Sequence, residues 1–288
     1  MTEPRTGWRP YAQVHGANNT VSGKVLVWPR VDGAPGIPAR EIVVYLPPSL
    51  AVSMAAGGAS DGRRYPVLYF HDGQNVFDAR TSYIGVEWGA DETLETLARE
   101  GIEAIAVAVA NHGNARMDEY NPWRSESDWR GRPKRMGGKG DAYLEWLVGT
   151  VKPLVDRSFP TRAEREATGI IGSSMGGLIS LYALFAQRAV FGLAGVMSPS
   201  VRWSDFRIVR LIEDAPLPSA RIHLDMGWRE WKGMTRDARR VRDALLARGL
   251  VLDRDLHYVE ERNARHNEGA WARRLPGALR FLLADFRG

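Results

Sequence analysis

The sequence predicts an α/β protein with a mostly parallel sheet, antiparallel strands at its N-terminal edge and helices on both faces. Three observations carry this. From about residue 66 onward, short apolar runs alternate with helical segments, the pattern that stacks parallel strands between two helix layers. The runs at 66–70, 102–110 and 167–171 are nearly continuous in apolar residues, as strands buried on both faces require. Ahead of them, the β-branched runs 24–28 and 40–45 are separated by Gly and Pro and read as an antiparallel hairpin or edge pair.

The elements follow in order. Residues 1–20 are polar and irregular. The strand at 40–45 ends at Leu46, Pro47 and Pro48, and residues 51–63, rich in Ala, Gly and Ser, read as a flexible loop. After the strand 66–70, leucines at helical spacing predict a helix over 91–100. The strand 102–110 leads into a stretch over 111–140 rich in Arg, Gly and Trp. A structureless loop of that length inside a compact domain is usually functional or disordered. A longer amphipathic helix is expected over 141–159, kinked or broken at Pro153. Then come strand 167–171, helix 175–186, strands 192–197 and 222–226, helix 235–248, strand 251–259 and a last helix over 269–286.

The 288 residues suit one large α/β domain spanning 1–288, and 44% hydrophobic with 25% charged is ordinary for a globular chain. There are no cysteines, which excludes disulfides, thiolate metal sites and cysteine nucleophiles together. The first residues carry no apolar run, and no segment has the apolar length of a membrane span, so a soluble, cytoplasmic protein without a membrane partner is expected. The net charge is +5 and the pI about 9.6. An anionic partner is one reading and a basic surface without specific meaning the other. With no nucleic-acid motif beside the charge, the second is preferred and no nucleic-acid partner is expected. Oligomeric state stays open.

The chemistry is carried first by Gly172, Ser173, Ser174, Met175 and Gly176, a G-x-S-x-G pentapeptide. A nucleophilic serine must stand clear at the end of a strand on a tight turn into a helix, where flanking side chains would collide with the neighbouring backbone. Such pentapeptides arise by chance, but here an apolar strand precedes and a helical segment follows. A phosphate-cradling loop is the competing reading, and no Lys follows the glycines as it would require. The context predicts a nucleophile elbow and the α/β-hydrolase fold. Ser174 rather than Ser173 has Gly at both i−2 and i+2.

A serine hydroxyl needs a general base, which in this fold follows the nucleophile and an acid in chain order. Three histidines follow Ser174. His223 and His257 lie within expected strands. His266 lies in a polar loop between the last strand and the last helix, at the C-terminal edge of the sheet where ligands bind, and is the expected base. For the acid, Glu230 falls in the loop beyond the strand 222–226 and is preferred. Asp225, within that strand, and Asp237 are the competitors. The oxyanion formed on attack needs preorganised N–H donors. Met175 supplies one, and the loop His71, Asp72, Gly73, Gln74, Asn75 the other, with Gln74 preferred over Gly73. His71 and Asp72 could look catalytic by residue type, but both precede the elbow and are expected to hold the loop. No His/Asp group has convincing metal spacing, so neither metal nor cofactor is expected.

These motifs resemble the putative-esterase family of α/β-hydrolases, which includes enterochelin esterases, feruloyl esterase domains, the esterase D group and mycolyltransferases. The resemblance runs over residues 20–285. It is carried by the stretch from Arg64 to Asp78, Asp118 to Pro122, Gly172 to Gly177, Ser198-Pro-Ser200 and His266 to Trp271. It implies a serine, a late histidine and an acid a few residues after a glycine, falling on Ser174, His266 and Glu230. It implies a serine carboxylic ester hydrolase acting through an acyl-enzyme on a small to medium ester. An acyltransferase with the same triad and a non-catalytic binding protein are the alternatives. Trp203, Trp228, Trp231 and Arg116 are candidate substrate contacts. Trp123 and Trp129 also sit near the expected cleft, and the cations Arg124, Arg130, Arg132, Lys134, Arg135 and Lys139 crowd the 111–140 segment. A solvated basic loop is the competing reading of that charge.

Overall fold

A computed structural model describes residues 7–56, 62–129 and 132–287. Among these, the strands are β1 (Arg9–Pro10), β2 (Lys24–Val31), β3 (Arg40–Leu46), β4 (Val67–Phe70), β5 (Ile105–Val109), β6 (Ser125–Trp129), β7 (Arg132–Met136), β8 (Thr168–Ser173), β9 (Leu193–Met197), β10 (Arg221–Gly227) and β11 (Leu256–Glu261). Nine of them form one sheet in the order β1-β2-β3-β5-β4-β8-β9-β10-β11, and β6 and β7 pair separately. From β5 to β11 all neighbours are parallel. The pairs β1/β2, β2/β3 and β3/β5 are antiparallel.

The helices are α1 (Tyr11–His15), α2 (Pro48–Ala55), α3 (Ala90–Arg99), α4 (Arg116–Glu119), α5 (Gly140–Trp146), α6 (Lys152–Ser158), α7 (Met175–Ala186), α8 (Arg207–Asp214), α9 (Met234–Ala247) and α10 (Glu268–Leu282). Strand alternation sorts the core onto two faces. Val67, Tyr69, Val107 and Ile170 pack with Leu144, Val155, Leu178, Ile208 and Val241 of α5 to α9. Leu68, Phe70, Ala106 and Ile171 pack with Leu94 and Leu97 of α3 and Leu275 and Leu279 of α10. Both faces of the central strands are therefore dry, which is why their sequences read as unbroken apolar runs.

Several elements differ from expectation. The irregular N-terminal segment holds β1 and α1. Pro48 does not only close a strand: it occupies the first turn of α2, where a fixed φ and a missing N–H cost nothing. Part of the expected loop 51–63 is thus helical. The helix expected over 141–159 is α5 and α6 joined by a π turn at Leu147–Val151, immediately before Pro153. Proline has no N–H to bond a carbonyl four residues back, and its ring crowds that carbonyl, so the backbone widens there. The 111–140 segment is not structureless but carries α4 and the β6–β7 hairpin. The last strand starts at Leu256 rather than 251, because Asp253 takes φ 61 and the Asp255 carboxylate accepts the Val251 N–H at 3.0 Å, forming a turn. The last helix stops at Leu282, followed by a short 3₁₀ turn at Ala284–Phe286. No helix among the described residues is long and apolar enough to cross a membrane.

Candidate active site

Loops following β4, β5, β8, β10 and β11 converge on one cleft of about 570 Å³ at the C-terminal edge of the parallel strands. Its wall includes Asp72, Gln74 and Asn75, then Asn111 and Arg116, then Ser173 and Ser174, then Trp231, His266 and Trp271. A hollow of equal volume lies at the antiparallel end of the sheet, walled by Arg9, Gln13, Arg30, Arg40 and Glu41. No serine, threonine or histidine is in that wall, and Arg40 is committed to Glu119 by two bonds of 2.7 and 2.8 Å.

Strand β8 runs straight into α7 through Ser174, whose φ of 59° and ψ of −118° lie outside the regions an L-residue prefers. Such a residue stores about 1–3 kcal/mol of strain and persists only when its surroundings over-determine it. Here the Ser174 N–H donates to Met197 O at 2.9 Å, and its carbonyl accepts from Leu178 N at 3.1 Å. A Cβ at Gly172 would fall 2.6 Å from the Gly176 carbonyl, so no other residue fits under the turn. At Gly176 the closest atom would be His71 Cβ at 3.3 Å, a tight but lesser demand. The Ser174 hydroxyl is 3.0 Å from the Ser200 hydroxyl.

On the same cleft, His266 Nδ1 lies 2.7 Å from Glu230 Oε2. A carboxylate only accepts, so Nδ1 carries a proton, and in the neutral imidazole the lone pair is left on Nε2. The other carboxylate oxygen, Oε1, accepts from Gly227 N at 2.8 Å and from the Ser198 hydroxyl at 2.6 Å. Ser198, fully buried at φ 43°, in turn accepts from Trp271 Nε1 at 3.0 Å and Arg274 Nη2 at 2.9 Å. Glu230 is thus held in one orientation with a single oxygen turned to the imidazole. Trp231 lies against the His266 ring with centroids 4.5 Å apart, and Trp271 meets it edge-on at 5.0 Å.

The competing acids are engaged elsewhere. Asp225 has no solvent exposure, bonds His223 Nε2 and the Ser198 N–H at 3.1 Å each, and forms an ion pair with Arg274, 3.1 Å from Nε. Burial alone would raise its carboxyl, but His223 and Arg274 hold it below the ordinary range. Asp237 is buried and paired with Arg202, 3.2 Å from Nη2. His257 sits beyond His223, their Nδ1 atoms 3.1 Å apart. Neither histidine lines the cleft.

Gln74 lies on the 3₁₀ turn Gly73–Asn75 and lines the cleft. A Cβ at Gly73 would fall 2.6 to 2.7 Å from the backbone of Ala108, Val109 and Ala110, so the loop can only pass β5 this closely with glycine. Met175 is the first residue of α7, and first-turn N–H groups of a helix have no partner within it. Asp72, in the left-handed region at φ 54°, receives Arg116 in two bonds of 2.6 and 2.7 Å and Asn111 Nδ2 at 2.7 Å. Burial pushes the Asp72 carboxyl up, and Arg116 with Asn111 brings it below the usual range. His71 is buried, with Nδ1 2.9 Å from the Tyr143 hydroxyl and no partner for Nε2 among the described residues. Burial pushes its imidazole down to about 3.

The candidate substrate contacts divide. Trp231 lines the cleft and is 66% exposed, so an aromatic surface is open to a ligand. Trp228 faces away: its Nε1 donates to Glu260 at 2.7 Å and Arg262 lies over its ring. It directly follows β10, so it is carried to the outside of the chain end that Glu230 turns inward. Trp203 is half-buried against the core and walls a separate small hollow rather than the cleft. Arg116 lines the cleft, but Asp72 takes its Nε and one terminal nitrogen, so its first duty is to the loop. Trp123 packs on Tyr182 with centroids 5.2 Å apart. Arg130, and the side chains of Trp129, Arg132 and Lys134, lie outside the described residues. Glu87, Asp91 and Glu92, whose carboxylates approach within 4.8 Å of one another, are no part of the cleft wall. Sequence reasoning assigned no role to Ser198, Ser200, Trp271, Arg274, Tyr83 or Ile84. The first three stand in motifs that carry the resemblance, which was the available signal. Tyr83 and Ile84, 85% and 52% exposed, form an apolar rim.

A sequence profile of the family described as "Putative esterase" matches residues 39–282. A Bacillus subtilis protein, YbbA, whose function is uncharacterised, is 26% identical over 255 residues, covering 86% of this chain and 94% of its own. A siderophore enterobactin esterase from Emericella nidulans is 32% identical over 120 residues, 39% of either chain. In structure, the siderophore hydrolase EstA from Aspergillus nidulans superposes with a TM-score of 0.67 at 23% identity, over 90% of this chain and 94% of that one. The fold is that of the α/β-hydrolases.

Proposed function

The chain belongs to the putative esterase family and is a carboxylic ester hydrolase, and from that premise we propose that Ser174 is its nucleophile, His266 its general base and Glu230 the acid that orients His266. The observation that carries this is the 2.7 Å bond from His266 Nδ1 to Glu230, on a cleft shared with a serine at φ 59°. Ser174 Oγ attacks the ester carbonyl while its proton passes to His266 Nε2. The oxyanion is received by the Met175 and Gln74 N–H groups. As the tetrahedral centre collapses, its bond to the alkoxy oxygen breaks and His266 returns the proton to that oxygen, releasing the alcohol. Water then attacks the acyl-serine, giving its proton to His266. The carboxylic acid leaves and Ser174 recovers its proton. Glu230 stabilises the imidazolium in both halves.

Hydrolysis is favoured over acyl transfer by the exposure of the cleft rim at Tyr83, Ile84 and Trp231, since a transferase must keep water from its acyl-enzyme. The same rim suits a small to medium ester with an apolar or aromatic alcohol portion. Siderophore lactones belong in the substrate panel because several relatives bear siderophore esterase or hydrolase names. The test is Ser174→Ala against nitrophenyl esters and a fluorophosphonate probe. Labelling disappears and turnover falls by about 10³-fold or more. A variant that still labels and turns over like the parent overturns the assignment.

A further inference from the structure

Taking Ser174 as nucleophile and His266 as the proton donor to the leaving alcohol, as proposed above, we infer that a second, smaller hollow beside Ser174 is the acyl-group subsite and accepts short aliphatic acyl chains. This hollow has a volume of about 110 Å³. It meets the nucleophile through Ser200, which stands in its wall and whose hydroxyl is 3.0 Å from Ser174 Oγ. Trp231 belongs to both walls and partitions the hollow from the main cleft.

The chemistry decides which part of the ester goes where. His266 protonates the alkoxy oxygen, so the alcohol portion lies on the side of the imidazole, and His266 lines only the larger cleft of the two. The acyl chain, attached through its α-carbon, is the remaining substituent of the tetrahedral centre, and the hollow without the imidazole is left to receive it. Its wall is apolar where a chain would pack: Pro199, Val201, Trp203 and Met234. Of its charged residues, Arg202 and Asp237 are bonded to each other and Lys232 is exposed to solvent, so none of them needs the acyl chain as a partner. At ~30 Å³ for a water-sized group, the volume houses about three or four carbon atoms. Acetyl to butyryl groups fit, and an eight-carbon chain does not. Met234, a flexible residue that fills irregular gaps, forms part of the wall.

The experiment is a series of nitrophenyl esters from acetate to octanoate, measured on the parent chain, on Met234→Ala, which enlarges the hollow, and on Met234→Phe, which fills it. The parent is expected to prefer butyrate over octanoate by about tenfold or more in kcat/KM. Met234→Ala moves the optimum about two carbons longer, and Met234→Phe lowers the butyrate-to-acetate ratio of kcat/KM by about tenfold. A parent that hydrolyses octanoate as well as butyrate overturns the subsite, as does a chain-length profile unchanged in both folded variants. The parent profile needs no variant to fold. Ser174→Ala run on the same series separates the two failures: if turnover does not depend on Ser174, the nucleophile assignment falls. If it does and chain length has no effect, the acyl subsite alone falls.

Discussion

His266 and His71 both stand at the C-terminal edge of the sheet with a carboxylate nearby, and the two regions do opposite things with the same side chains. At one, His266 stands at the cleft wall with its Nδ1 on Glu230 and its other nitrogen unspent. At the other, His71 is buried, its Nδ1 is spent on Tyr143, and burial pushes its imidazole down to about 3. Its neighbour Asp72 is turned to Arg116 and Asn111. A general base needs a nitrogen that can reach substrate and a counter-charge that welcomes the proton. The first region has both, and the second has a clamp that shapes a loop. Residue type is shared; exposure and partner decide the role.

Substitutions sharpen the contrast. The largest effect is expected from His266→Ala, which lowers kcat/KM by about 10³-fold or more, while His71→Gln costs about 1–3 kcal/mol of stability and leaves the rate largely intact. Steady-state kinetics paired with chemical denaturation reads both. Equal rate losses in the two variants would break the comparison. Next, Glu230→Gln reduces kcat by about 10²- to 10⁴-fold. Asp225→Asn breaks the fully buried ion pair with Arg274, which keeps Glu261, and is expected to cost about 3–5 kcal/mol of stability, with the folded fraction keeping most of its activity. A reversal of those two outcomes makes Asp225 the acid. The smallest effect is in pH. His71 has a folded value lowered to about 3 against 6.5 for the free side chain, so the unfolded chain binds the extra proton between those values. Its contribution to stability is therefore whole above about 6.5 and is lost as pH falls towards 3. Denaturation midpoints over that window should show a shallower acid slope in His71→Gln than in the parent.

What the sequence made legible was whatever a short stretch of chain decides for itself. The elbow could be placed to the residue because its turn demands glycine at 172, and α7 was found at its observed limits. His71 and Asp72 could be read as holding their loop from their place before the elbow. Directions of side chains at strand ends could not be read. Asp225, Trp228 and Glu230 lie within six residues of one another, and only their neighbours on β11 and α10 show that one is sealed, one faces Glu260 and one meets His266. Ser198 and Arg274 were invisible as partners because 76 residues of chain separate them. The β6–β7 hairpin was missed because Arg, Pro and Lys are poor advertisements for a strand, and α8 because its inward residues Ile208, Val209 and Ile212 stand among charges.

The helix α10 has a consequence for synthesis. Trp271 and Arg274, which grip Ser198 and so the carboxylate of Glu230, sit on the last long helix of the described chain, which packs against β9 and β10. A chain emerging from the ribosome displays β8 and Ser174 about ninety residues before His266 and before that grip exists. The strand next to it, β4, must also wait for a partner about a hundred residues downstream. The unfinished polypeptide therefore carries Ser174 before the Glu230–His266 pair is held in place. On the roles proposed above, hydrolytic competence waits until α10 docks and fixes that pair.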